Sequence, residues 1–273
     1  MTGKQVRRSA RGLGAVLAAA AAVTTGSCAT AGDDSTATPV RVFAAASVNN
    51  VGDDLAEAFA AEHHGAAVEY TFAGSSALVR QLGQGADADL FISADQENMD
   101  SALALDAFTG AVPRVIATNR LVLVTAPGNP LGLSSPRDLA TVADGRIALC
   151  ADGVPCGTLA HRFLDATGTG IHDNWTVSEE ANVSDVSTKI ATGEVDAGFI
   201  YSTDALALQR NSSDTGPDGR IDIIDLGDTV EPNTYPAALT TDGQDDPAAR
   251  DFLDWLSSDT AREILGSYGF GTA

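Results

Sequence analysis

Four short loops can do chemistry without supplying a single cationic side chain. They are Ala44-Ala45-Ala46-Ser47, Ala73-Gly74-Ser75-Ser76, Gly153-Val154-Pro155-Cys156-Gly157-Thr158 and Glu180-Ala181-Asn182-Val183-Ser184. Each follows a strand-like run and opens a helical one. A helix start exposes unpaired N–H groups and the positive end of the helix dipole, so it favours an anion. The hydroxyls of Ser47 and Ser75 add donors, and small neighbours let the backbone come close. Any one of these loops is explained by helix capping, for which Ser is a good residue. The four together, with no Lys or Arg in any of them, describe a site that holds an anion with neutral, fixed dipoles.

The elements that must position these loops alternate along the chain. Val40 to Ala45 is an apolar, β-branched run, and Val51, Leu55, Ala58 and Phe59 follow at helical spacing. Further strands are expected at Ala67 to Phe72, Ala88 to Ser93, Arg120 to Ala126, Arg146 to Cys150, Ala197 to Tyr201, Ile221 to Leu226 and Tyr235 to Thr240. Helices are expected at Ala77 to Leu82, Gln96 to Leu105, Thr158 to Ala166, Val183 to Ala191 and Pro247 to Leu265. Strand–helix alternation argues for α/β architecture with mostly parallel sheets. In open sheets of that kind ligands bind beyond the carboxyl ends of strands, where the four loops fall.

The first 27 residues read as an export signal. Lys4, Arg7, Arg8 and Arg11 form a basic start, and Leu13 to Val23 is an apolar run too short to span a membrane. Small residues then precede Cys28, the layout of a lipoprotein cleavage site, with an ordinary cleaved signal as the alternative. Residues 28–39 read as a lipid anchor and flexible tether. Removing the signal takes away four positive charges and no negative ones, so the formal charge moves from −21 to −25. So acidic a chain has no clustered Lys/Arg for phosphate backbones, which excludes nucleic acid as a partner. In an oxidising compartment Cys150 and Cys156, bracketing a turn-rich loop, are expected to form a disulfide.

Several motifs together carry a family resemblance. Val42-Phe43-Ala44-Ala45-Ala46-Ser47, then Phe72-Ala73-Gly74-Ser75-Ser76 with Leu78 and Arg80-Gln81, then the run from Gly85 to Asp95 that holds Asp89-Leu90-Phe91-Ile92-Ser93, resemble the periplasmic molybdate-binding protein family of molybdate ABC importers, the ModA-type solute-binding proteins. Asn119 to Val124, Val154-Pro155-Cys156-Gly157, Gly198 to Ala205, Tyr235-Pro236 and Tyr268-Gly269-Phe270 extend the likeness, which runs from about Val40 to Phe270. The resemblance implies a two-lobed, type II periplasmic-binding-protein-like fold. Each lobe would be a mixed, mostly parallel sheet flanked by helices. Lobe 1 would be 40–118 plus 237–273 and lobe 2 would be 119–236, joined by hinge strands at Asn119–Thr125 and Tyr235–Thr240.

The resemblance also implies the oxyanion contacts. Ser47 and Ser75 would each give a hydroxyl and an N–H. Cys156 and Val183 would give backbone N–H groups, and Tyr201 its phenolic OH. These five are the contacts to the metal oxyanion, molybdate or tungstate. The family usually has Ala at the position of Cys156, and often Arg at the position of Ser184. No catalytic residue and no cofactor beyond the ligand is implied. The partner would be the membrane permease of an ABC importer, met by a monomer that is lipid-anchored or periplasmic. Molybdate and tungstate carry no proton at neutral pH and only accept hydrogen bonds, so a pocket made of donors suits them. Sulfate or another oxyanion is the alternative within the class; an exported serine hydrolase using Ser47 or Ser75 is the alternative outside it. A calcium loop at Asp214 to Asp225 is weighed against a plain acidic hairpin.

Overall fold

A computed structural model describes residues 38–64, 66–212 and 220–272. The proposed signal, Cys28 and Asp214 to Asp218 of the calcium reading lie outside the described residues. Among those described, no group of His, Cys, Asp and Glu is placed to hold a metal ion.

The chain runs β1 (Val40–Ala45), a short 3-10 turn (Ala46–Val48), α1 (Asn49–Glu62), β2 (Val68–Ala73), α2 (Ser75–Gly83), β3 (Leu90–Ile92), α3 (Gln96–Leu103), β4 (Arg114–Asn119) and β5 (Leu121–Thr125). It continues through β6 (Arg146–Cys150), α4 (Pro155–Thr167), β7 (Thr176–Glu180), α5 (Val183–Ala191), β8 (Ala197–Tyr201), α6 (Ser202–Ser212) and β9 (Ile223–Asp225). It ends with β10 (Asn233–Leu239), α7 (Thr241–Asp245), α8 (Pro247–Trp255) and α9 (Asp259–Ser267).

These strands form two five-stranded sheets, in the orders β2-β1-β3-β10-β4 and β7-β6-β8-β5-β9. In the first, β1 is parallel to β2 and β3, while β10 runs antiparallel to β3 and β4. In the second, β6 is parallel to β7 and β8, while β5 runs antiparallel to β8 and β9. The two sheets thus repeat one plan, as the α/β expectation required. Helices cover the sheet faces, so inner strands are apolar along their length rather than alternating. All five residues of β5 are buried, and so are all five of β8. On α1 the buried residues Val51, Leu55 and Phe59 recur every four positions and pack toward Phe252 and Trp255 of α8.

The sheets place the lobe boundary differently from the sequence reading. β4 ends at Asn119 in the first sheet and β5 starts at Leu121 in the second, so the outward crossing is at Arg120. β9 ends at Asp225 and β10 begins at Asn233, so the chain returns within residues 226–232. Residues Asn233 to Pro236, expected in lobe 2, therefore belong to the first sheet, and Tyr235 to Leu239 is a sheet strand rather than a crossing. Pro236 lacks an N–H for the ladder, and β10 accommodates it with a register shift against β4 between Tyr235 and Pro236. The single C-terminal helix expected over Pro247 to Leu265 is divided into α8 and α9. Ser258 caps the second by accepting a hydrogen bond from the Ala261 N–H.

Candidate oxyanion site

Each of the four loops enters a helix, and three of these helical starts have no side-chain cap. Ser47 lies in the 3-10 turn after β1, whose N-cap Ala45 makes no side-chain cap. Ser75 opens α2 behind Gly74, again without a side-chain cap. Cys156 is the second residue of α4, behind Val154 and Pro155. Pro155 stands where its missing N–H removes no helical bond. Val183 opens α5, whose N-cap Asn182 accepts only from the Asp185 N–H. The capping explanation therefore fails for both serines. Ser75 Oγ accepts from the Ala94 N–H at 3.0 Å, and Ser47 Oγ bonds Tyr235 OH at 2.7 Å.

One pocket brings the five residues together. Ser47, Ser75, Cys156, Val183 and Tyr201 line it along with Ala45, Ala46, Gly74, Ala94, Val154, Pro155 and Asn182. No Lys, Arg, His, Asp or Glu is among these lining residues. The five are almost wholly withdrawn from solvent, Cys156 being the most exposed at 3%. Tyr201 stands at the end of β8 and accepts a hydrogen bond from Asn233 Nδ2 at 2.9 Å. Burial pushes its phenol well above the ordinary tyrosine range, so it stays a proton donor at any physiological pH.

A second, open groove runs beside the pocket between α3, α4 and the segment from Thr229 to Thr234. It carries Asp95, Glu97, Asp100, Asp165 and Glu231 against the single Arg162. That charge balance repels an anion, and the groove's larger volume does not make it the better candidate.

The chain matches the family of bacterial extracellular solute-binding proteins over residues 40–271. It belongs to that family.

This solute-binding protein has sequence relatives over nearly its whole length. It is 38% identical to the molybdate-binding protein ModA of Mycobacterium tuberculosis over 240 residues, covering 88% of this chain and 87% of the relative. It is 31% identical to the molybdate-binding protein ModA of Escherichia coli, covering 85% and 88%. The periplasmic molybdate-binding protein of Azotobacter vinelandii has a similar structure, with a TM-score of 0.71 at 21% identity over 86% of this chain and 99% of that one. The two-sheet architecture of these binding proteins is the one described above.

Around the pocket of the solute-binding protein the backbone is crowded. A Cβ on Gly74 would stand 2.4 Å from the Ala181 carbonyl oxygen, across the two sheets' loops, and one on Gly157 would stand 2.2 Å from the Ala151 oxygen. Both positions demand glycine for close approach. The expected disulfide between Cys150 and Cys156 is present, with Cα atoms 5.6 Å apart. It ties the end of β6 to the first turn of α4 and so anchors the Cys156 N–H. For a bridge closing six residues of separation, chain entropy gives a stabilisation of about 2 kcal/mol. Replacing both cysteines with Ala is expected to lower stability by about that amount while retaining the residue-156 N–H. Urea denaturation checks it, and an unchanged midpoint contradicts it.

Sequence reasoning missed Asn233, and saw Asn119 and Tyr235 only as matching positions. The available signal was a pair of Asn residues ending or starting apolar strands, where an amide has to be satisfied by something buried. Tyr235 is fully buried, and its hydroxyl both contacts Ser47 Oγ and accepts from Asn119 Nδ2 at 3.3 Å.

Proposed function

We propose that this protein captures molybdate or tungstate in the Ser47–Ser75–Tyr201 pocket and passes it to the membrane permease of an ABC importer. The observation that carries this reading is a buried pocket uniting all five anticipated contacts with no charged side chain on its wall. Ser47 and Ser75 would each offer a hydroxyl and an N–H, Cys156 and Val183 an N–H, and Tyr201 its OH. Each hydrogen bond to a charged group is worth roughly 1.5–3 kcal/mol net, so about seven donors supply on the order of 10–20 kcal/mol before costs. Ordering and desolvation subtract from that sum and leave room for nanomolar binding, about −12 kcal/mol. Two lobes that share one anion close around it, and the closed form is what a permease can recognise.

The relatives named for molybdate binding support this assignment, and a wall with no carboxylate or imidazole to accept a proton supports a tetrahedral dianion over a singly protonated phosphate. No residue is assigned a catalytic role: the pocket wall has no His, Asp or Glu to act as a base beside Ser47 or Ser75. The protein is taken to act as a monomer outside the cytoplasm. No helix among the described residues is long and apolar enough to cross a membrane, and attachment is assigned to lipid on Cys28, which mass spectrometry of the mature N-terminus tests.

Thermal unfolding with molybdate, tungstate, sulfate and phosphate tests the ligand. A ligand held only by the folded state at a hundred times its Kd adds about 2.7 kcal/mol. For a chain of this size that raises Tm by roughly 5–10 °C. The expected result is a rise with molybdate and tungstate and none with phosphate. A rise with sulfate alone assigns the pocket to sulfate instead.

A further inference from the structure

Three hydroxyls meet the pocket, and a hydroxyl can present either its proton or its lone pairs. The choice depends on what each oxygen already accepts from behind. The Asn119 carboxamide oxygen accepts from the Arg120 N–H and from Ser202 Oγ, each at 2.9 Å. A backbone N–H is only a donor, so this contact fixes which end of the amide is oxygen. Asn119 Nδ2 then donates to Thr203 Oγ1 at 2.8 Å and to Tyr235 OH at 3.3 Å. Among the described residues Ser47 Oγ, at 2.7 Å, is the acceptor within reach of the Tyr235 proton, so the phenol is assigned as the donor of this pair. Ser47 keeps its own proton for the pocket.

Asn233 does the same for Tyr201. Its Nδ2 donates to the Ala94 carbonyl, which is only an acceptor, so this amide too is fixed in orientation. The same nitrogen donates to Tyr201 OH, and a phenol that accepts on one side directs its proton to the other. Ala94 completes the set, since its N–H donates to Ser75 Oγ and leaves that proton free to turn inward. Asn119 and Asn233 are direct register partners on β4 and β10, 2% and 8% exposed. Such buried polar positions have to be satisfied, and here their satisfaction polarises the pocket.

We propose that Asn119 and Asn233 are positioning residues that turn the hydroxyl protons of Ser47 and Tyr201 toward the anion, and so select fully deprotonated oxyanions over protonated ones. The proposal rests on the oxyanion reading of the same pocket. A hydrogen phosphate needs one acceptor for its proton, and these two amides deny it one.

Asn233→Asp tests the inference. A carboxylate can only accept, so Tyr201 would donate backward to it and show the pocket a lone pair. Calorimetry at pH 8 with molybdate and inorganic phosphate compares two dianions, so the added negative charge penalises both alike. Loss of one donor to a charged guest should weaken molybdate roughly 10- to 100-fold. The molybdate-to-phosphate affinity ratio should fall by at least about tenfold. An unchanged ratio in a variant with native circular dichroism overturns the inference.

If that variant does not fold, Asn233→Ala is measured with and without Tyr201→Phe. An effect exerted through the Tyr201 hydroxyl should cost affinity in the wild-type background and be within about twofold of nothing in the Phe background. Equal losses in both backgrounds overturn it. A wild-type protein that binds no molybdate is a different outcome: it sinks the functional reading and this inference with it.

Discussion

Ser47→Ala combined with Ser75→Ala is expected to weaken molybdate binding by roughly 10²- to 10⁴-fold, the equivalent of losing two hydrogen bonds to a charged guest at about 1.5–3 kcal/mol each. Neither serine caps its helix, so the helical starts keep their geometry and their N–H groups. What the guest loses is hydroxyl donation. Both changes have a second cost, because the Ala94 N–H loses its acceptor Ser75 Oγ and the Tyr235 hydroxyl loses its acceptor Ser47 Oγ, each in a buried place; an unsatisfied buried donor destabilises by about 1–3 kcal/mol. Calorimetry on the double variant, with its ligand-free Tm measured alongside, separates the two effects. Wild-type affinity in the double variant would refute the site outright.

The second large effect concerns stability against pH. Asp204, in the first turn of α6, is 3% exposed. Asn50 Nδ2 donates to its Oδ1 at 3.4 Å, while its Oδ2 has no hydrogen-bond partner. Burial pushes its carboxyl from the ordinary value of 3.8 up to about 8. Below about pH 4 the group is protonated whether the chain is folded or not, and it costs nothing. Between about pH 4 and 8 the unfolded chain releases this proton and the folded chain keeps it, so stability falls as pH rises. Above about pH 8 both forms are ionised and the loss is complete.

Asp204→Asn removes the titration. From pH 5 to pH 7 the wild type is expected to lose about 3 kcal/mol that the variant does not. Urea unfolding of both proteins at the two pH values measures this difference directly. Parallel pH curves for the pair would contradict a buried, proton-holding Asp204.

Much of the architecture was legible because inner strands covered by helices on both sides of the sheet are apolar on both faces. Leu121-Val122-Leu123-Val124 and Ala197 to Tyr201 can hardly be anything else, and both are buried strands. The loops holding Ser47, Ser75, Cys156 and Val183 were legible for a related reason: only small residues let helix starts converge on one point. Lobe boundaries were not, because Tyr235-Pro236 suggests a break in a ladder and a shift in register absorbs it. The α8–α9 junction was hidden because the apolar periodicity of Phe252 and Leu253 resumes at Ala261 and Leu265, on either side of the Ser258 cap. Asn119 and Asn233 were illegible for a deeper reason. An amide acquires its meaning from partners 84 and 139 residues away, Thr203 and Ala94, and no local pattern announces such distances.

The approach of Gly74 to the Ala181 oxygen sets the tolerance of the whole device. Main chain meets main chain there, with no cushion of side chain to compress. If the pocket holds an oxyanion as proposed, a guest too large for it would meet a seam where no rotamer change can make room.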